Sequence, residues 1–384
     1  MTVGPLFFVA AEPSGDLLAA EVIDAIRCQN DGVEISGIGG DEMRGRGVGS
    51  EIDTSPLSIL GFFEGVKAYK DVVRLADLAA AEIVAANPRA VVLVDSWGFM
   101  LRVAQRVRKL APNIRLIKLV GPQIWATRAG RAKTLAATVD HLLCIHDMEV
   151  PYYAPYGLPV TVIGNPAISR AQLGDGVSYR ATRGIDPKAQ LIVVFPGSRK
   201  SELQRVAPAL VETARMLKEQ DPNRNIVFAP ALNIIDAFKE HYSGIESWAV
   251  IEAEVAQRYN VMAAADVALA CSGTVSTEIA MQGTPMIVAY KTGLITWALA
   301  RGFLYKKTHI TLLNIASDDT EVVPEFVQTK QKPVDMASVV DGWLRDPNAL
   351  KAQAHRQEKA LLRLKEGDRN SADIAAETIL GLLN

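Results

Sequence analysis

Short apolar runs rich in Val and Ile, most closing on Gly, Ser or Asp, alternate along this chain with longer stretches of helical periodicity. This alternation constrains the fold more than any other feature. Strands apolar at nearly every position need cover on both faces, and helices packed on both sides of a parallel sheet supply it. In the first half the pattern predicts strands at Leu6–Ala10, Glu34–Gly37, Ala90–Val94, Leu116–Val120, His141–Cys144 and Val160–Ile163. After the turn-rich segment Gly164–Gly184 the series starts again, at Leu191–Phe195, Asn225–Ala229, Ala249–Ile251, Val267–Ala270, Met286–Ala289 and, as a sixth strand, His309–Leu312. The expected fold class is α/β, with two Rossmann-like domains facing a cleft between their carboxyl edges. Residues 1–165 form the first domain and 166–349 the second, and residues 350–384 are helices that pack back across the linker. A length of 384 residues suits two domains with ordinary cores.

Composition narrows the function classes. A 49% hydrophobic content with a net charge of −2 excludes a disordered chain and argues against a nucleic-acid binder that is basic throughout. The longest uncharged stretch, Val150–Ser169, carries Pro151, Pro155, Pro159 and Pro166, which a membrane-spanning helix would not tolerate. The first residues lack the basic start of a signal peptide. Three distant cysteines, Cys28, Cys144 and Cys271, make no disulfide framework, so a reducing cytoplasm is the expected compartment. The charge is uneven, however: Arg102 to Lys133 holds nine basic residues and no acidic one. That window reads either as the solvated face of a helix or as a surface that meets phosphate or anionic lipid.

In doubly wound folds the strand-to-helix turns bind ligands. Glu12-Pro13-Ser14-Gly15-Asp16 follows the first strand, and its two carboxylates exceed what a helix cap needs. Asp95 ends a central strand, where a carboxylate is costly to hold without a partner or a task; as a general base it would take a proton from a hydroxyl nucleophile. Gly121 to Arg128 brings Trp125, which suits either a core or a sugar face, together with Arg128 inside the basic window. Pro196-Gly197-Ser198-Arg199, with Glu202 one turn on, and Ser272-Gly273-Thr274, with Glu278 one turn on, are two small-residue turns at helix starts that suit an anion. Two such turns in one domain point to a diphosphate, and Glu278 could accept hydrogen bonds from ribose hydroxyls. There is no G-x-G-x-x-G after the first strand, no G-x-x-x-x-G-K-[ST] loop, no G-x-S-x-G elbow, and no HExxH or CxxC, so no cofactor and no metal is expected.

Taken in order, these turns resemble the motifs of the lipid-A-disaccharide synthase family, bacterial inverting glycosyltransferases of the two-Rossmann-domain (GT-B) type. Glu12, Ser14, Gly15 and Asp16 match E-x-S-G-D. Leu60, Gly61 and Glu64 fall at M-G-x-x-E. Asp95 and Phe99 match the ends of D-x-P-D-F, and Pro122, Trp125, Ala126 and Arg128 match S-P-x-V-W-A-W-R. Pro196 to Arg199 with Glu202 match P-G-S-R-x-x-E; Ser272, Gly273, Thr274 and Glu278 match S-G-T-x-x-x-E; and Asn314, Pro324, Glu325 and Gln328 fit the last segments. The resemblance implies transfer of a diacylated glucosamine from its UDP-activated form to an acylated glucosamine phosphate, a lipid monosaccharide acceptor, at the inner face of the membrane. It implies Asp95 as the base, and Glu12, Ser14, Asp16, Trp125 and Arg128 on the acceptor side. The donor side would be Gly197, Ser198, Arg199, Glu202, Ser272, Gly273, Thr274 and Glu278, with Asn314 and Gln328 on the nucleotide side. Arg199 and the Ser272–Thr274 helix start, rather than a metal, would stabilise the leaving group.

Departures cluster on the acceptor side: Trp97 and Gly98 stand for the Pro and second Asp of D-x-P-D-F, and Gly121 and Thr127 for a Ser and a Trp of the next motif. They leave open a membrane-surface glycosyltransferase with another lipid acceptor, and a third reading is a non-catalytic UDP-sugar or lipid-binding envelope protein. An apolar cluster of Leu57, Ile59, Leu60, Phe62 and Phe63, followed by Lys67, Lys70 and Arg74, reads as a contact with the inner-membrane surface, and residues 295–307 have a similar make-up. The expected protein is cytoplasmic and peripheral on that surface, with no nucleic-acid partner; a homodimer is compatible with it.

Overall fold

The computed structural model describes residues 4–54, 65–125, 129–170, 172–293, 307–365, 367 and 369–383. The chain divides into two compact units, Met1–Ser169 with Lys365–Asn384, and Arg170–Leu364. Each is built on a six-stranded, wholly parallel sheet.

In the first unit β1 (Leu6–Ala10), β2 (Ile35–Ile38), β3 (Ala90–Val94), β4 (Arg115–Leu119), β5 (His141–Cys144) and β6 (Val160–Val162) lie in the order β2-β1-β3-β4-β5-β6. β1 and β3 are buried at every position, as their apolar sequences require of strands covered on both faces. On one face α1 (Pro13–Gln29) packs Leu18, Val22, Ile23 and Ile26 against Ala375, Ala376 and Ile379 of the last helix, Ser371–Leu383. The other face is covered, beyond the short α2 (Asp41–Arg44), by α3 (Gly65–Ala86) and α4 (Trp97–Leu110), through Leu75, Ala79, Ala80 and Ile83 and through Phe99, Met100, Val103 and Val107.

In the second unit β7 (Leu191–Phe195), β8 (Asn225–Phe228), β9 (Val250–Ile251), β10 (Val267–Cys271), β11 (Met286–Tyr290) and β12 (Glu325–Val327) lie in the order β12-β11-β10-β7-β8-β9. The expected strand at His309–Leu312 does not form. The backbone N–H groups of Ile310 and Thr311 donate to the Glu325 carboxylate instead of a ladder, and a helix, Leu312–Ala316, starts there. The sixth place goes to β12, whose three residues pair with Val288, Ala289 and Tyr290.

The return to the first unit begins at Lys365, later than the expected 350. Helix Pro347–Leu362 stays with the second sheet because buried Gln357 accepts from Met286 N and donates to Thr284 O at the entry of β11. Among the described residues no helix is long and apolar enough to cross a membrane. Leu57, Ile59, Leu60, Phe62, Phe63 and the 295–305 segment, offered above for membrane contact, lie outside the described residues.

Candidate active site

Parallel sheets open a crevice where the chain leaves one strand in opposite directions. In the first sheet this switch lies between β1 and β3, since β2 is added on one side of β1 and β3 on the other. The turns that follow β1 and β3 are therefore neighbours, and they carry Glu12–Asp16 and Asp95–Phe99. A Cβ built on Gly15 would sit 3.7 Å from the Asp95 Cβ, so the first turn of α1 lies against the end of β3. Pro13 occupies the first turn of α1 and Glu12 its N-cap, but the Glu12 side chain makes no capping bond. Ser14 is exposed, Glu12 half-buried, and Glu12 also lines a cavity of about 590 Å³ beside Gly40, Ile52 and Thr54.

Asp95 is half-buried, and among the described residues nothing hydrogen-bonds its carboxylate. Its backbone is left-handed, φ +50°, as is Ser96 at +35°, and Val120 at the end of the adjacent β4 has φ +65°. A β-branched residue there is an outlier, and strain of this kind persists only where surroundings impose it. The surroundings include a group the sequence reading passed over. Lys118, inside the apolar strand β4 and 2% exposed, donates from Nζ to the carbonyls of Leu93 (3.1 Å), Asp95 (2.5 Å) and Leu119 (3.2 Å). Burial brings its pKa down to about 7, against the pull of the Asp95 charge. The signal was legible: a single lysine in the run Leu116-Ile117-Lys118-Leu119.

Asp16 lines the same cavity as Glu12 but is 5% exposed; its carboxylate accepts from Gly40 N (2.8 Å), Glu42 N (2.8 Å) and Met43 N (3.3 Å), tying the start of α2 to α1. Other expected residues fall elsewhere. Trp125 is buried, so it offers no ring face to a sugar, whereas Trp97 carries the Arg131 guanidinium 5.4 Å over its ring. Arg128 lies outside the described residues. The basic window is no single surface: Arg106 is paired with Asp77, Arg108 with Asp140 at 2.7 Å, and Lys118 is inside. Gly121 points into the protein, since a Cβ there would meet the Tyr153 hydroxyl at 2.9 Å and Glu149 Oε2 at 3.4 Å. Burial raises the Glu149 pKa to about 8, against backbone N–H bonds from His146 and Ile145, and lowers that of neighbouring His146 to about 4.

In the second sheet the switch falls between β7 and β10, which are neighbours. From their turns Gly197 and Ser198, and Ser272 to Thr274, line one pocket together with Arg258, Ala229 and Phe195. Glu202 does not face it as a free acceptor. Its Oε2 accepts from Ser198 N (2.8 Å) and Arg199 N (3.2 Å), so it holds the turn and occupies two of the N–H groups expected to meet an anion. Gly197, at φ +122°, is required by that closeness: a Cβ would lie 2.7 Å from the Glu202 Cβ. Arg199 extends to solvent with its side chain 76% exposed. Ser272 is half-buried, while Gly273 and Thr274 are exposed at the mouth.

Glu278 is bonded by Arg258 at 2.8 Å, and the buried Nε of Arg258 has no hydrogen-bond partner among the described residues. Arg258 was invisible in sequence, because a lone arginine at a helix start carries no motif. Asn314 and Gln328 are structural. Asn314, fully buried, accepts from Val322 N and Val323 N and donates to Val323 O and Glu325. Gln328, with its amide suitably turned, exchanges two bonds with the Thr292 backbone at 3.3 Å. Among the described residues no cluster of His, Cys, Asp or Glu could hold a metal ion.

A family model described as lipid-A-disaccharide synthetase matches residues 6–379. The lipid-A-disaccharide synthase of Rhodospirillum centenum is 33% identical over 383 residues, covering 98% of this chain and 94% of that protein. Among solved structures, the UDP-GlcNAc 2-epimerase of Neisseria meningitidis bound to UDP-GlcNAc superposes with a TM-score of 0.60 at 12% identity, over 98% of this chain and 99% of that one. MurG of Acinetobacter baumannii does so at 0.57 and 14% identity, over 99% of each chain. At such identities the two structures establish the fold, two Rossmann-like units of the GT-B type.

Proposed function

Since the chain belongs to the lipid-A-disaccharide synthase family, we propose that it transfers a diacylated glucosamine from UDP to the hydroxyl of an acylated glucosamine phosphate, with inversion, Asp95 taking the proton. The protein is a glycosyltransferase that uses a UDP-sugar donor and a lipid acceptor. In the proposed step the acceptor oxygen bonds to the anomeric carbon as the bond from that carbon to the UDP oxygen breaks. The acceptor proton goes to the Asp95 carboxylate and the electron pair leaves with UDP. Asp95 suits the task because its half-buried carboxylate has no hydrogen-bond partner among the described residues, on a turn whose backbone is tied by Lys118 and Leu119. That observation carries the reading.

The second-unit pocket is assigned to the UDP moiety. Arg199, long and exposed, and Arg258, with a buried unsatisfied Nε, supply the positive charge that a departing diphosphate requires. Ser272 and Thr274 supply hydroxyls, and no metal is assigned a role. Glu12 and Ser14 would order the acceptor, with the cavity beside Glu12 available to it. Acting on lipid substrates, the enzyme would sit at the inner-membrane surface, a reading that the apolar sequence cluster Leu60, Phe62 and Phe63 supports.

Two departures from the family motifs lie beside Asp95 and would bear on the acceptor. Gly121 is an internal change, filled by Tyr153, while Trp97 and exposed Gly98 lie on the turn that carries Asp95. A different lipid acceptor is thus a question about that turn. The test is UDP release by the purified protein with UDP-diacylglucosamine and a panel of lipid acceptors. Turnover with diacylglucosamine phosphate, reduced about 10²–10⁴-fold in Asp95→Asn, is the expected result. Tight UDP binding with turnover only on another acceptor would transfer the reading to that lipid, and full activity in Asp95→Asn would remove Asp95 as the base.

A further inference from the structure

We propose that Lys118 is a positioning residue for Asp95: its ammonium clamps the carbonyls at the ends of β3 and β4 and so sets the aim of the Asp95 carboxylate. The inference rests on the reading of Asp95 as the base. A lysine in the middle of a buried strand is costly, and buried ammonium groups survive where they have partners or a task. Here the partners are specific. An ammonium has three N–H bonds, and Lys118 directs one each to Leu93 O, Asp95 O and Leu119 O.

Register explains why these three carbonyls converge. Lys118 pairs with Leu93 and Leu119 with Val94 in the β3–β4 ladder, so Nζ reaches past the last rung. Asp95 N is already bonded to Leu119 O at 2.8 Å. The clamp therefore grips the one segment whose backbone is left-handed at Asp95 and Ser96, opposite left-handed Val120. Without it, nothing among the described residues ties the Asp95 carbonyl, and the turn is free to relax toward ordinary φ, swinging the carboxylate. The Asp95 charge in turn supports the buried Lys118 ammonium.

Lys118→Met keeps the length of the side chain and removes charge and donors. The variant is expected to lose about 100-fold in kcat, the scale of a misaimed catalytic group, with KM for both substrates changed less than about threefold. Lys118→Gln, which can still donate to two carbonyls, should recover part of kcat, and it serves if the Met variant fails to fold. In an Asp95→Asn background Lys118→Met should cost nothing further, because the residue acts through Asp95.

A strongly impaired Asp95→Asn beside a Lys118→Met or Lys118→Gln protein with wild-type kcat would overturn the clamp and leave the base reading intact. Multiplicative losses in the double variant would also overturn it. An active Asp95→Asn would instead remove the base reading on which the clamp depends.

Discussion

Replacing Asp16 by Ala separates two roles for this carboxylate, ordering an acceptor or holding the fold. The side chain is 5% exposed and accepts three backbone N–H groups, two at 2.8 Å and one at 3.3 Å. A hydrogen bond to a charged group contributes about 1.5–3 kcal/mol, and removing the acceptor leaves its donors to find water. Glu42 is exposed and its N–H can be rehydrated, whereas Met43 is fully buried and its N–H cannot. Two strong bonds, one weak one and partial rehydration give a loss of about 3 kcal/mol. For a unit near 190 residues that is a fall in Tm of about 6–12 °C. Asp16→Asn keeps the acceptor toward Gly40 and Met43 but turns a donor toward Glu42 N, so it should lose about 2 kcal/mol. The assay is thermal and urea unfolding by circular dichroism, with kcat and KM measured well below the variant Tm. A loss under about 1 kcal/mol together with a collapsed kcat would refute the argument, because the carboxylate would then be reaching substrate.

Three further outcomes follow from the same geometry. Arg258→Ala should raise KM for the UDP-sugar and weaken UDP binding about tenfold or more by calorimetry, with acceptor KM unchanged, because it removes a guanidinium from the pocket and leaves Glu278 unpaired. Glu202→Ala should weaken UDP binding through disorder of the Ser198–Arg199 turn, and a crystal structure of the variant would show those two N–H groups released. Folded Glu149 keeps its proton up to about pH 8, while the unfolded chain loses it near 4.5. Its contribution to stability therefore falls as pH rises through that window and is level above it. His146, with its pKa lowered to about 4, acts in the opposite sense between about 4 and 6.5. The measurement that isolates Glu149 is the stability difference between wild type and Glu149→Gln, which should decline from pH 4.5 to 8; a level difference would contradict the burial of the carboxyl.

Much of the fold was legible because strand identity here is a local property. Leu6–Ala10, Ala90–Val94 and Leu191–Phe195 are apolar at every position, and such runs have one stable destination, the middle of a covered parallel sheet. Edges were less legible. β12 is only Glu325-Phe326-Val327, too short to announce itself, and the apolar His309–Leu312 run was drawn off by the Glu325 carboxylate. The site was legible as a set of turns but not as roles. Asp95 and the Gly197 and Ser272 turns sit at the two switch points, as strand-end position dictates. Asp16, Glu202, Asn314 and Gln328 have the same polar chemistry as a ligand site, but they spend it on backbone.

The amino-acid sequence by itself determined the two parallel sheets, the turns that carry the chemistry and the family, because periodicity and motif spacing are written within a few residues of one another. Which polar groups remain available to a substrate was decided only by tertiary structure. A polar side chain is a ligand or a latch according to what lies within hydrogen-bond reach, and those neighbours come from 24 to 27 residues away for Asp16 and from the adjoining strand for Lys118. No local pattern encodes such distances; they arise when β1, β3 and β4 are laid side by side, and the clamp behind Asp95 exists only there.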